Sequence, residues 1–403
     1  MPRRHLVRLA AGLLLGTAGY ILPFGALAAV VLPARIAGID PDHKVTLVAV
    51  LAIGTAAAGL VGNLAFGALS DHTRARGWGR LPWLVGGTVV AALLMIPLGR
   101  AARLPDLLGW WFLAVAALNA TTVTVMALLP DHVPRARRAT LAGVAGVGNL
   151  LGTALGTTLG AVFLNTPGTG IPTVAALAVV MVVGAAVAVA GLPELDPDTD
   201  SDSDVSATDG RTGRVTPDFW RAFAARLLLV LGFFMIQAFK LYIFIDHVGL
   251  DVDAAARALA LTSVLFLATA LLGSVIAGPV SDRTGRRRPL AIACVVLFLV
   301  AVAVPLAAPT LWGMIVFSAV GGLAIGGFYA VDVALMSEVL PRARSRARDL
   351  GILNVASTSG QVLGPAAGSV LLGLGQGYAA LFVGALVVGV LGIPFLASLR
   401  TVR

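Results

Sequence analysis

The chain has 403 residues, of which 58% are hydrophobic and only 12% charged, and its mean hydropathy is +0.93. Soluble domains carry about 25% charged residues, so this composition excludes a soluble globule. A net charge of +9 does not point to nucleic acid, because the arginines fall in short segments between apolar blocks, as membrane orientation demands. The apolar blocks reach about 20 residues, enough for a helix to cross a bilayer and too long for barrel strands. An all-α polytopic membrane protein is expected. The single cysteine, Cys294, lies inside an apolar block, which excludes a disulfide framework and a thiolate metal site and suits a small packing residue.

Span 1 is predicted near Leu6–Leu32. Its apolar part exceeds the roughly 7–15 residues of a secretory signal, so it reads as a retained helix. Span 2 follows near Val45–Leu69, span 3 near Pro82–Leu98, span 4 near Leu107–Leu129, span 5 near Thr140–Leu164 and span 6 near Ile171–Leu192. Composition then changes. Residues 193–218 are acidic and rich in Ser, Thr and Pro, with Asp196, Asp198, Asp200, Asp202 and Asp204 alternating, which predicts a solvated, flexible linker. Spans 7 to 12 are predicted near Phe223–Phe244, Ala255–Ile276, Pro289–Leu306, Leu311–Met336, Leu350–Leu374 and Ala379–Leu399. The chain thus divides into an N-terminal six-helix bundle (1–192), the linker and a C-terminal six-helix bundle (219–403).

The second half repeats the first. Gly67, Ser70, Asp71 and Thr73 match Gly278, Ser281, Asp282 and Thr284 at an offset of about 211. Ala127-Leu-x-x-Asp131-x-x-Pro-Arg-Ala-Arg matches Ala334-Leu-x-x-Glu338-x-x-Pro-Arg-Ala-Arg, and Gly148, Gly152 and Gly156 match Gly360, Gly364 and Gly368. Two halves of like orientation imply a pseudo-two-fold axis along the membrane normal, with matched loops on one side. Most basic residues lie on the side of the two hairpins, the linker and both termini, whereas the opposite loops hold only Arg35, Lys44, Arg100, Arg103 and Arg257. By the charge bias, the first side is cytoplasmic. In each hairpin Gly and Pro are expected to stop the flanking helices.

These residues resemble the major facilitator superfamily of secondary transporters. The likeness covers nearly the whole chain: twelve spans, a central linker, and a Gly-x-x-x-Asp-Arg-x-Gly-Arg-Arg hairpin after spans 2 and 8. The longer first hairpin, from Ser70 to Trp83, is similar to that of the sucrose and glycoside–pentoside–hexuronide branches. His72 stands where an Arg is usual, and Leu81 interrupts the arginine run. Spans 1, 2 and 4 carry no acid that could match the cation ligands of the glycoside branch, and the antiporter Gly-Pro pattern is absent from span 5. The resemblance implies alternating access around a cavity lined by spans 1, 4, 7 and 10. It also implies a cytoplasmic latch built from Gly67, Asp71, Arg80 and Asp131 and from Gly278, Asp282, Arg286 and Glu338, in which the aspartates pair with hairpin arginines and face helix N-termini.

Ionisable groups inside spans are functional candidates by default. Lys240, with Gln237 three residues before it, either binds solute or snorkels to the outer interface. Asp332, with Tyr329 three residues before it, either carries a coupling proton or partners an inner arginine. Tyr20 and Asn119 are the uncharged candidates in the cavity-lining spans, and Asn119, Thr121, Asn354 and Gln361 could equally make interhelical hydrogen bonds. The glycines at spacing four suit tight helix crossings. Trp110 and Trp111 suit an aromatic belt at the outer end of span 4.

The expected function is secondary active transport of a small sugar-like or anionic solute by a monomer in the cell membrane, coupled to protons and without cofactor or metal. The alternatives are a proton-driven exporter of hydrophobic compounds, suggested by Phe24, Phe233, Phe234 and Phe328, and a non-transporting membrane sensor. No catalytic or metal-spaced set of His or Asp lies within the spans, so an enzyme is not expected.

Overall fold

The computed structural model describes residues 3–75, 81–133, 135–193, 217–339 and 346–399, which are helical almost throughout. Helices α1 (Arg3–Pro23) and α2 (Leu32–Ile39) are joined by a π-helical segment, Phe24–Val31, into one continuous first span. Then come α3 (Lys44–Ala75), α4 (Leu81–Arg100), α5 (Leu104–His132), α6 (Arg135–Val162) and α7 (Pro167–Val189). The second half begins with α8 (Pro217–Gln237), a break, the short α9 (Lys240–Tyr242) and a π-helical segment, Ile243–His247. It continues with α10 (Val252–Thr284), α11 (Arg287–Ala307), α12 (Leu311–Val339), α13 (Arg346–Gly373) and α14 (Ala379–Ala397). Counting α1–α2 and α8–α9 as one span each, the described residues form twelve transmembrane helices in two sets of six. Both sets contain a π-helical stretch in their first span.

Ten of these helices are long and apolar enough to cross a membrane on composition alone; the other two are α6 and α13, the glycine-rich helices. Their Gly, Thr, Asn and Ser content lowers hydropathy but permits close packing. In α6 a methyl group on Gly148, Gly152 or Gly160 would come within 2.5–2.6 Å of the carbonyl oxygens of Leu14, Ala18 and Ala26. In α13 a methyl on Gly364 would reach the Leu231 carbonyl at 2.8 Å, and one on Gly360 the Val230 side chain at the same distance. The spacing-four glycines therefore seat α6 on the first span and α13 on α8.

By internal contact the chain forms two units, Met1–Asp42 with Ile53–Thr208, and His43–Ala52 with Asp209–Arg403. The first turns of α3 group with the second unit. Within each unit an arginine of the first helix closes onto the end of the last. Arg8 donates to the carbonyls of Ala188 (3.0 Å) in the last turn of α7 and Ala190 (2.6 Å) just beyond it, and Arg221 donates to Ser398 (3.1 Å) beyond α14. These cations satisfy carbonyls that a helix C-terminus leaves orphaned. Arg35 does the same for α4, donating to Leu98 (2.9 Å) and to Ala101.

Three expectations need correction. The eighth span does not end near Ile276: α10 runs on to Thr284 and is stopped within the hairpin by Gly285, whose φ of +61° is the left-handed cap that glycine adopts without strain. The linker does not extend to Asp218: α8 starts at Pro217, and Asp218 is buried in its first turn, paired with Arg221 at 2.7 Å. Trp111 is no belt residue. It is fully buried, donates to Thr55 Oγ1 at 2.8 Å and packs edge-on against Phe24. The alternating aspartates Asp196–Asp204 lie outside the described residues.

Candidate functional site

The second unit buries its charges on α8 and α12. Arg226, on α8, places Nη1 2.9 Å from Oδ2 of Asp332 on α12, donates from Nε to Ser357 Oγ at 2.7 Å, and lies 5.9 Å from the centre of the Tyr329 ring. Asp332 is 3% exposed. The inner-arginine partner expected for Asp332 is therefore Arg226, with Tyr329 on the same cluster. Further along α8 the chain breaks. Ala238 and Phe239 form a turn, Phe239 N–H bonding back only to Ile236, and Lys240 restarts the helix. Gln237 and Lys240 thus do not share an unbroken helical face, and no hydrogen bond joins them.

Lys240 is 2% exposed, so it does not snorkel to the interface. Its Nζ donates to Ser318 Oγ on α12 at 3.2 Å, and among the described residues no carboxylate lies within ion-pairing distance of it. Gln237 Oε1 is also buried without a hydrogen-bond donor among the described residues. Equal separations link Arg226 to Lys240 along α8–α9 and Asp332 to Ser318 along α12, so the helices run antiparallel with two rungs about 20 Å apart. One rung is a closed ion pair. The other is a cation facing a neutral hydroxyl. Between them, Phe233 stacks on Phe266 (5.3 Å) and meets Phe234 and Phe298 edge-on, so this candidate is a packing residue.

In the first unit the interior candidates Tyr20, Asn119 and Thr121 are uncharged. Tyr20 is buried in α1. Asn119 donates to its own helix at Val115 (2.8 Å) and is wedged against Gly59 and Gly62 of α3. Thr121 bonds Thr88 (2.8 Å) and the Leu84 carbonyl (2.9 Å) on α4, the interhelical role expected of it. No hydrogen bond joins Tyr20 to Asn119.

Of the latch residues, Arg80 and the side chains of Asp71, Asp282 and Glu338 lie outside the described residues. Asp131 is buried in the last turn of α5. Arg286 is exposed at the start of α11, its N–H bonded to Thr284 Oγ1 at 3.3 Å. Among the described residues a methyl on Gly278 would meet nothing within 4 Å, and one on Gly67 only Val123 at 4.0 Å. Across the first hairpin, Trp83 Nε1 donates to Thr73 Oγ1 at 2.8 Å, tying α3 to α4.

The second unit also has a cluster that sequence placed in loops. Asp246 Oδ2 accepts from Lys44 Nζ (2.6 Å) and from the Tyr378 hydroxyl (2.5 Å), while Lys44 lies 5.1 Å from the centre of the buried Tyr242 ring. Burial, then the Asp246 carboxylate, hold the Tyr378 phenol above its ordinary pKa, so it remains a donor.

Two sequence-related sets of long, mostly apolar helices among the described residues define a multi-pass membrane protein built by duplication. The chain belongs to the Major Facilitator Superfamily, whose model matches residues 6–256 and 222–403. It is similar to the MFS transporter asaE of Aspergillus flavus, 27% identical over 181 residues, which are 44% of this chain and 40% of that one. The match therefore spans less than half of that relative. Two crystal structures of a bacterial homologue of the human lysosomal transporter Spinster, inward-facing and either unoccupied or occupied, each superpose with a TM-score of 0.61. Each is 16% identical, covering 98% of this chain and 95% of the other, a likeness of fold.

Proposed function

We propose that the protein is a proton-coupled secondary transporter of a small organic anion or sugar-like solute, acting as a monomer by alternating access. The bodies that move are the N-terminal set, residues 1–192, and the C-terminal set, which starts with α8 at Pro217, with the acidic segment between them as the strap and both termini cytoplasmic. The observation that carries this reading is the pair of rungs on α8 and α12. Taking a charge out of water without a partner is costly, and among the described residues Lys240 Nζ hydrogen-bonds only to Ser318. A solute oxyanion or hydroxyl would complete that rung, and a solute hydroxyl would donate to the open Gln237 Oε1, with Tyr20 and Asn119 as the first half's contribution. A proton arriving on Asp332 would cancel its charge and free Arg226, whose remaining neighbours, Ser357 and Tyr329, are neutral. Gly67, Asp71, Arg80, Asp131, Gly278, Asp282, Arg286 and Glu338 serve as the cytoplasmic latch.

The test is uptake into proteoliposomes under an imposed pH gradient, screening labelled sugars and organic anions. Wild type should accumulate its solute, Asp332→Asn should exchange but not accumulate it, and Lys240→Gln should lose it. Full gradient-driven accumulation by Asp332→Asn removes that residue from coupling.

A further inference from the structure

The ends of α4 and α5 remote from the first basic hairpin enclose an open groove of about 440 Å³, lined by Ile96, Pro97, Arg100, Arg103, Asp106 and Trp110 with two loop alanines. Its charges are unspent. The carbonyls at the end of α4 are already satisfied by Arg35. Among the described residues neither Arg100 nor Arg103 has an ion-pair or hydrogen-bond partner, and Asp106, three positions after Arg103, pairs with neither. The Trp110 indole N–H is likewise open, in contrast to that of its neighbour Trp111.

Each wall is amphipathic along its length. On α4, Leu93, Ile96 and Pro97 share one helical face with Arg100, and on α5, Leu113 and Trp110 share one with Asp106. Leu93, Ile96 and Leu113 are exposed apolar side chains. Both walls thus run from lipid-facing apolar surface to charge at the headgroup level, with opposite charges on opposite walls.

We infer that this groove is a binding site for a zwitterionic phospholipid. Arg100 and Arg103 take its phosphate, Asp106 its headgroup ammonium, and the Leu93–Ile96 and Leu113–Trp110 stripes an acyl chain. The guanidinium fork suits phosphate oxygens. Without the apolar stripes a free phosphate would fit the cations equally well; without Asp106 an anionic lipid would be preferred. The site is independent of the solute and coupling assignments above.

The experiment is native mass spectrometry of full-length, delipidated protein titrated with phosphatidylethanolamine, phosphatidylglycerol or soluble phosphoethanolamine. Wild type should bind its first phosphatidylethanolamine more tightly than phosphatidylglycerol. Arg100→Gln/Arg103→Gln should weaken that binding by roughly tenfold or more, two surface cations being lost. Asp106→Asn should abolish the preference between the two lipids, and Arg257→Gln, an exposed cation elsewhere, should change nothing. All four positions are exposed, and an unchanged melting temperature verifies folding. Equal lipid binding by wild type and the double variant overturns the proposal. So does soluble phosphoethanolamine binding as tightly as the lipid, which would make this a site for a free phosphate.

Discussion

The two halves share a scaffold and differ in what they bury. In the first unit α6 seats on α1 through glycines, Thr88 and Thr121 join α4 to α5, and Asn119 bonds within α5 against glycines of α3. In the second, the crossing of α8 and α13 is kept by Gly360 and Gly364, yet α8, α9 and α12 carry Arg226, Lys240 and Asp332. Duplication has preserved what packs and let diverge what carries charge. Buried charge is tolerated only with a partner or a task, so the second half is where solute and proton chemistry should concentrate.

The sharpest way to break this contrast is to unpair the charges. Arg226→Ala leaves Asp332 buried alone and should cost about 3–5 kcal/mol in thermal or denaturant unfolding, whereas Arg226→Met with Asp332→Leu should regain most of that stability without regaining transport. In the first unit, Asn119→Leu should cost under about 1 kcal/mol, since it removes one neutral hydrogen bond. Equal losses in both halves would mean that the charges of the second are not special. Next in size is a test of the shared scaffold. Gly152→Ala pushes a methyl into the Ala18 backbone and should cost about 1–3 kcal/mol, while Gly146→Ala, which meets nothing within 4 Å, should be neutral. Smallest is the part-exposed cluster at Asp246, where Lys44→Gln should shift stability by less than about 1 kcal/mol. With its pKa raised, Tyr378 contributes fully below the ordinary phenol value of about 10 and loses that contribution only as pH climbs beyond it. A stability loss on going from pH 7 to 9 that vanishes in Tyr378→Phe would contradict this.

Much of the architecture was legible because bilayer thickness imposes a length on every apolar block, and because duplication wrote the hairpin twice. The site was legible only in part. Arg226 was overlooked although the rule that singles out Lys240 applies to it; ten residues into α8, it reads as a flanking arginine unless the helix is started at Pro217. The break after Gln237 has no Pro or Gly to announce it, so Gln237 and Lys240 read as one face. Trp110 and Trp111 are indistinguishable by position along the chain, yet a rotation of about 100° sends one toward lipid and the other into Phe24. The eighth span reads as ending near Ile276, ahead of Pro279, but a proline near a helix end can be carried when only one bond is forfeited.

The arginine closures described above reach beyond packing. Arg8 and Arg221 each fasten the opening helix of a six-helix set to its final turn, so each set is a ring of helices whose seam is zipped by its own side chain. A gene segment encoding such a ring carries everything needed to seal it, and copying that segment in tandem yields two finished objects rather than one interrupted one.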